Sequence, residues 1–234
     1  ILTLAWHLDR VRGKVNRPLN LLLLLLHVAL PVAAIHIQGD DGTALVFAGI
    51  GVVMLFAGGL SIPLALGGLA AAIAGGTALL ITNPGILKGY QFQRILAVLT
   101  PEDPALSDIA YQQNKAAMAI CTCGLTGQWL FRDESIFIPN AWNDFIYSYL
   151  ANAAGFLGAI LVLILLFGIM ARTLRTAYRS VDLLGRLICT GVFAALFWQC
   201  VINIGMNLQA LPVIGVTLPF FSAGGSSVVM VYLS

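Results

Sequence analysis

Asp144 is the acid in this sequence best placed to do chemistry. It belongs to F-I-P-N-A-W-N-D-F, Phe137 to Phe145, and stands one residue ahead of the apolar run Phe145 to Ala171. If that run crosses a bilayer, the carboxylate sits at headgroup depth. There it can meet a polar substrate carried on a lipid and take a proton from one of its hydroxyls. Arg94, Lys115 and Arg132 are candidates to meet a phosphate-bearing headgroup, because guanidinium and ammonium groups are the usual anion partners. Taken singly, each is more simply a solvated or snorkelling charge.

The remaining reactive residue types give weaker patterns. Asp40 and Asp41 lie in Q-G-D-D-G-T, Gln38 to Thr43. They can bind a cation or orient a substrate, or more simply cap the helix that follows, since Asp and Thr accept hydrogen bonds from first-turn amides. His7, His27 and His36 are scattered and form no metal-ligand spacing. Cys121 and Cys123 stand two apart, too close for an easy disulfide and without C-x-x-C spacing. Cys189 and Cys200 fall inside an apolar run and read as small apolar residues.

Composition decides what must hold these residues. Hydrophobic residues are 59% of the chain, charged residues 9%, and the mean hydropathy is +0.93, which excludes an ordinary soluble domain and predicts an all-α polytopic membrane protein. A net charge of +2 with no basic stripe gives no footing for nucleic acid. With about 20 apolar residues needed per span, the chain offers a clipped end at Ile1 to Trp6, then Leu19 to Ile37, Thr43 to Leu60, Ile62 to Thr82, Phe145 to Ala171 and Leu183 to Met206. A last span begins near Phe220 and runs to Ser234. The expectation is about six spans plus a clipped end, residues 1–234 forming a single transmembrane domain that is a fragment of a larger protein.

Arg10, Arg12, Lys14 and Arg17 fill one short connection, and Arg172, Arg175, Arg179 and Arg186 another. Basic connections are retained on the cytoplasmic side. Counting spans between them returns the chain to the same side, so the two signals agree. Residues 38–42, 83–144 and 207–219 then face outward. The outward loop 83–144 is longer than most structureless loops, and loops of that length are more often functional than idle. Within it Tyr90 to Leu96 (Y-Q-F-Q-R-I-L) and Tyr111 to Gly124 read as short amphipathic helices lying on the membrane. Paired glycines such as Gly58 and Gly59, Gly67 and Gly68, and Gly75 and Gly76 allow spans to approach closely.

Four stretches together carry a resemblance to the SEDS family (shape, elongation, division and sporulation), to which RodA and FtsW belong. Q-G-D-D-G-T-A-L-V-F from Gln38 is similar to the family's Q-P-D-x-G-T-A-L. Y-Q-F-Q-R-I-L-A-V-L-T-P-E from Tyr90 is similar to its Q-R-I-x-x-F-x-x-P-E, and I-P-N-A-W-N-D-F-I-Y from Ile138 to its L-P-E-x-x-T-D-F-I-F. I-N-I-G-M-N-L-Q-A-L-P-V-I-G-V-T-L-P-F-F-S-A-G-G-S-S, Ile202 to Ser227, resembles its signature almost throughout. Members have ten spans, which implies that Ile1 to Trp6 ends the fourth and Phe220 to Ser234 is most of the tenth.

The resemblance implies a peptidoglycan glycosyltransferase in the bacterial plasma membrane, its active face extracytoplasmic. It would join lipid II to a growing glycan on undecaprenyl diphosphate, alongside a class B penicillin-binding protein. Asp144 matches the Asp of T-D-F and would be the general base. Asp40 matches the Asp of Q-P-D and Arg94 the Arg of Q-R-I. Gln112 and Lys115 fall in the segment after Pro-Glu, and Ser222, Gly224, Gly225 and Ser226 in the signature. The diphosphate leaving group calls for positive charge, from Arg94, Lys115 and Arg132 or from a divalent cation such as Mg2+.

This chain departs from the family at Asn140 (Glu), Asn143 (Thr), Gly39 (Pro), Asp41 (apolar) and Ala223 (aromatic). Two alternatives belong to other classes. One is a non-catalytic scaffold that recruits a penicillin-binding protein. The other is a flippase for lipid-linked precursors, which needs mid-membrane polar residues; the spans hold few beyond Asn152, Gln199 and Asn203.

Overall fold

The computed structural model describes residues 1–82, 89–100, 106–127 and 138–223. Among the described residues eight helices follow in order: α1 (Leu2–Arg10), α2 (Pro18–Ile37), α3 (Asp41–Ala57), α4 (Ile62–Thr82), α5 (Gly89–Leu99), α6 (Ser107–Cys121), α7 (Ile146–Arg179) and α8 (Leu183–Asn207). Among the described residues there is no strand. The expected all-α polytopic membrane fold is the one found. Helices α2, α7 and α8 are long and apolar enough to cross a membrane, and α4, at 21 residues, has the length to do so. The apolar helix α3 is 17 residues long.

The chain divides into two compact units, Ile1–Phe92 with Thr173–Ala195, and Gln93–Arg172 with Leu196–Ser234. In the first, helices α1, α2 and α3 contact one another, and glycines set the closest approaches. A β-carbon on Gly51 would strike Val28, one on Gly58 would strike Leu8, and one on Gly191 would strike Met54. Along α2, Leu19, Leu22, Leu26 and Leu30 are exposed. Such a strip is a liability in water and an asset against lipid tails.

The hairpin between α2 and α3 is built by its polar residues. Asp40 Oδ1 accepts the amide of Thr43 at 2.9 Å and so caps α3. Asp41 Oδ1 pairs with Nδ1 of His36 at 2.5 Å, tying the last turn of α2 to the first of α3. Gly39 has φ +87, a conformation closed to the proline that the family carries there. The departure at Gly39 therefore has a backbone reason.

In the second unit the two amphipathic segments are helices, α5 and α6, as their periodicity predicts. Helix α6 buries Ala110, Gln113, Ala116 and Ala119 at a three-residue interval, one helical face. Phe145, fully buried, packs with Ala116, Ala119, Ile138 and Ala141. Asn152 Nδ2 donates to the carbonyl of Ala119, fixing α6 to α7.

Helix α7 differs from the expected span. It starts at Ile146 and runs to Arg179, and Gly155 interrupts it with φ 74 and ψ −173. The carbonyls of Gly124 and Leu125 accept the amides of Phe156 and Leu157 at 2.9 and 3.2 Å, so the loop after α6 replaces part of the helix's own ladder. Gly127 and Gly155 lie backbone to backbone, and a β-carbon on either would strike the other's main chain. Counting about 20 residues back from Arg172 puts this break close to the membrane boundary. The far end continues past Ala171 because Thr173–Arg179 stays helical beyond the apolar run; Asp182 then starts α8, its carboxylate accepting the amide of Gly185. The last expected span lies outside the described residues from position 224 onward.

Candidate active site

Asp144 sits in the turn 138–145 that feeds α7, half-buried. The turn is wound on Asn140, whose carbonyl accepts the amides of Asn143 at 3.1 Å and Phe145 at 3.5 Å. Asn140 has φ 54, the left-handed region that Asn tolerates better than Glu. That gives the Asn140 departure a conformational reason.

The main-chain carbonyl of Asp144 is gripped from α8. Asn203 Nδ2 donates to it at 2.8 Å and Asn207 Nδ2 at 3.1 Å. Asn207 Oδ1 in turn accepts the amide of Ser148 at 3.0 Å and its hydroxyl at 2.5 Å. Asn203, Asn207 and Ser148 are fully buried. Buried amides without partners are costly, so this network holds the start of α7 against the end of α8 and fixes where the acid stands.

The segment after α8 folds back over the same turn. Gln113 Nε2 donates to the carbonyls of Met206 and Leu211 at 2.9 and 2.8 Å. Gln209, at φ 57, donates to Asn114 Oδ1 at 2.6 Å. Arg94 Nη1 donates to the carbonyl of Val213 at 2.6 Å, and Asn203 reaches that of Val216 at 2.7 Å. The hydroxyl of Ser222 donates to the carbonyl of Asn143 and accepts the amide of Leu218, both at 2.7 Å. Ala223 closes onto the carbonyl of Trp142 at 2.9 Å.

Gly215, on this returning segment, passes close to the acid. A β-carbon added to Gly215 would lie 3.8 Å from Asp144 Oδ2, and Gly215 itself is exposed with φ +74. A side chain at this position would start within van der Waals contact of the carboxylate, from a backbone conformation that favours glycine.

The sequence candidates distribute unevenly around this arrangement. Asp144, Arg94 and Ser222 come together through the segment 207–222. Arg94 spends a donor on main chain, and Ser222 is buried with its hydroxyl engaged at both ends. Lys115 is half-buried on α6, its Nζ 5.8 Å from the ring centroid of Tyr111, and Gln112 is half-buried beside it on the same helix. Asp40 belongs to the other unit, where it caps α3. Arg132, Gly224, Gly225 and Ser226 lie outside the described residues. Cys121 is exposed, Cys123 is buried, and no disulfide joins them; Cys200 is buried but Cys189 only half so. Sequence reasoning missed Gln113, Asn207 and Gly215 as positioning residues. The available signal was the four-residue spacing of Asn203 and Asn207 in one span against Ser148 and Asn152 in another.

Among the described residues no three His, Cys, Asp or Glu side chains gather as a metal site.

Comparison with known proteins places the chain. The profile of the FtsW/RodA/SpoVE family, described as cell cycle protein, matches residues 1–234. Stage V sporulation protein E of Bacillus subtilis is 32% identical over 200 residues, 84% of this chain and 53% of that protein. Peptidoglycan glycosyltransferase MrdB of Escherichia coli K12 is 33% identical over 211 residues, 89% of this chain and 56% of that one. A probable peptidoglycan glycosyltransferase FtsW of Geobacter sp. M18 is 30% identical over 234 residues, 98% and 62% of the two chains. A chain solved to explain the structural coordination of polymerization and crosslinking by a peptidoglycan synthase complex superposes with a TM-score of 0.79 at 31% identity, covering 97% of this chain and 62% of that one. The chain thus spans between 53% and 62% of the length of these relatives. With its whole length matched by the profile and its fold shared with a solved relative, it belongs to the FtsW/RodA/SpoVE family of cell cycle proteins.

Proposed function

We propose that the protein is a peptidoglycan glycosyltransferase of the bacterial plasma membrane, polymerising lipid II with Asp144 as general base on the extracytoplasmic face. The observation that carries this reading is the placement of Asp144, gripped through its own carbonyl by Asn203 and Asn207 and faced by the bare Cα of Gly215. Relatives named peptidoglycan glycosyltransferase support the reaction class.

A sugar hydroxyl is a weak nucleophile near neutral pH. As the 4-hydroxyl oxygen of one disaccharide bonds to the anomeric carbon of the growing glycan, its proton passes to the Asp144 carboxylate. The bond from that carbon to the diphosphate oxygen breaks, and undecaprenyl diphosphate leaves as an anion needing no proton. General-base assistance of this kind is worth about 10²–10⁴-fold in rate. Two side-chain amides hold the acid through its main-chain carbonyl, which places it for the reaction. Arg94 shapes the segment opposite the acid, Lys115 and Arg132 are the cations proposed for the diphosphate, and the loop 83–144 carries them. The solved relative from a peptidoglycan synthase complex supports a working partner, for which a class B penicillin-binding protein is our candidate.

The test is lipid II polymerisation by the full-length protein with that partner. Asp144→Asn should abolish glycan product while protein level and thermal unfolding stay as in wild type. Unchanged product from a folded D144N protein removes Asp144 from the mechanism and returns the scaffold reading to the front.

A further inference from the structure

The first unit holds a cavity that the chemistry of Asp144 does not use. It measures about 460 Å³ and lies against the C-terminal half of α1, the connection 11–17 and α2, lined by Trp6, His7, Arg10, Lys14, Asn20 and His27. Such a volume is in the range of small-ligand sites. We propose that this cavity binds the phosphate headgroup of an anionic phospholipid.

Charge is the first support. Arg10 and Lys14 are both exposed at the cavity, and among the described residues no carboxylate lines it. The guanidinium of Arg10 stands 5.2 Å from the ring centroid of Trp6, which orients it beside an aromatic ring of the kind that settles at headgroup level. Basic residues beside a span also serve simply to orient it. That reading leaves the polar floor unexplained.

The floor is the second support. His27 lies nine residues into α2 from Pro18, roughly 13 Å along the axis at 1.5 Å per residue. Ionisable groups at such depth are expensive and mark functional sites by default. Here they are chained. His27 Nε2 meets Thr3 Oγ1 at 3.2 Å, and His27 Nδ1 meets His7 Nδ1 at 3.3 Å. When the Thr3 hydroxyl donates to His27, His27 Nδ1–H donates to His7, and the proton of neutral His7 is on Nε2, a donor for an anionic oxygen. The opposite direction would make His7 Nε2 an acceptor. An anion therefore selects the first tautomer.

An adjacent apolar strip distinguishes a lipid from free phosphate. At 3.6 residues per turn, Leu19, Leu23 and Leu30 flank the face of α2 that carries Asn20 and His27, and all three are exposed. An anion site beside exposed leucines matches an amphiphile, headgroup in the cavity and acyl chains along α2.

The experiment is native mass spectrometry of the full-length protein in detergent with dioctanoyl-phosphatidylglycerol, dioctanoyl-phosphatidylcholine or inorganic phosphate. Wild type should bind one phosphatidylglycerol saturably and far more tightly than phosphatidylcholine. Replacing both exposed cations, Arg10→Gln with Lys14→Gln, should weaken it on the order of tenfold or more. If millimolar inorganic phosphate fails to displace the lipid, the lipid as a whole is the ligand; if it displaces the lipid, the anion alone defines the site and the phospholipid assignment falls. Equal binding of phosphatidylcholine, or undiminished binding by the double variant, overturns the proposal. Should the double variant fold poorly, a salt titration of wild type decides: affinity must fall as salt rises, and a flat response also overturns it.

Discussion

Asn203 on α8 and Asp144 at the foot of α7 are joined by a 2.8 Å hydrogen bond across 59 residues of chain, from side-chain amide to main-chain carbonyl. The bond is made to the main-chain carbonyl of Asp144, so atoms other than the carboxylate help to set where the residue stands. Asn207 adds a second donor to the same carbonyl and holds Ser148 with its own oxygen.

Asn207→Leu should consequently cost more than Asn203→Leu. It strands two buried donors of Ser148 as well as a carbonyl contact, about 3 kcal/mol at 1–3 kcal/mol per unsatisfied group. Thermal unfolding in detergent reads the order, and equal melting temperatures for the two variants would contradict it.

Arg94→Ala removes a charged donor from the carbonyl of Val213 and should loosen the strap that carries Gly215. Polymerisation should slow on the order of tenfold through misplacement of the site, with the protein still present in the membrane. Arg94→Lys should recover part of the rate. Loss of protein in proportion to loss of product would point to a folding role instead.

Within α7 two glycines should answer oppositely. Gly155→Ala drives a methyl into the main chain of Gly127 at a φ of 74, costing about 3 kcal/mol or more. A β-carbon on Gly168 meets nothing within 4 Å, and Gly168→Ala should be neutral or gain about 0.5–1 kcal/mol. Melting temperatures of the two single variants test the pair.

Asn140→Gly should preserve stability, since glycine takes a φ of 54 freely. Asn140→Val should lose about 1–2 kcal/mol. If valine is tolerated as well as glycine, the left-handed turn is not what selects Asn at that position.

The thiols report on exposure and sidedness together. Cys121 is exposed, while Cys123 is buried and its thiol is pushed above its ordinary value by that burial, and further by the nearby Cys121. A raised value means less thiolate at a given pH. Labelling of Cys123 should therefore be slow and should climb only as pH rises into the alkaline range. If residues 83–144 lie outside the membrane as proposed, a membrane-impermeant maleimide applied to intact cells should label Cys121. Labelling of Cys121 only after the membrane is opened would reverse the assigned topology.

Long, strongly patterned features were legible from the residues alone. The ends of α4 and the starts of α5 and α8 fall at or within a residue of where the apolar runs and amphipathic period put them. The Asp40 cap was also readable, because a cap is a local contact within three residues. What stayed hidden depends on distant chain segments meeting. Gln113 looked no different from Gln112, yet one is buried and bonded to two carbonyls while the other is half-exposed. Arg94 read as a candidate cation for a phosphate, and its bond to the carbonyl of Val213, 119 residues away, gave no sign in the sequence. His7 and His27, scattered in sequence, meet with ring centroids 5.4 Å apart and planes tilted by 43°. The break at Gly155 was invisible because an apolar run containing one glycine is an ordinary helix until a second backbone arrives.

That break separates two mechanical duties of α7. A bilayer that thickens or thins is matched by tilting of the rod that crosses it, and the rod below Gly155 can lean without dragging the short helical stub above it. The stub, riding on the main chain of residues 124–127 and on the amides of α8, keeps its own bearing. A helix broken in this way lets the two parts answer separately to membrane thickness, with Asp144 on the part tied to residues 124–127 and to Asn207.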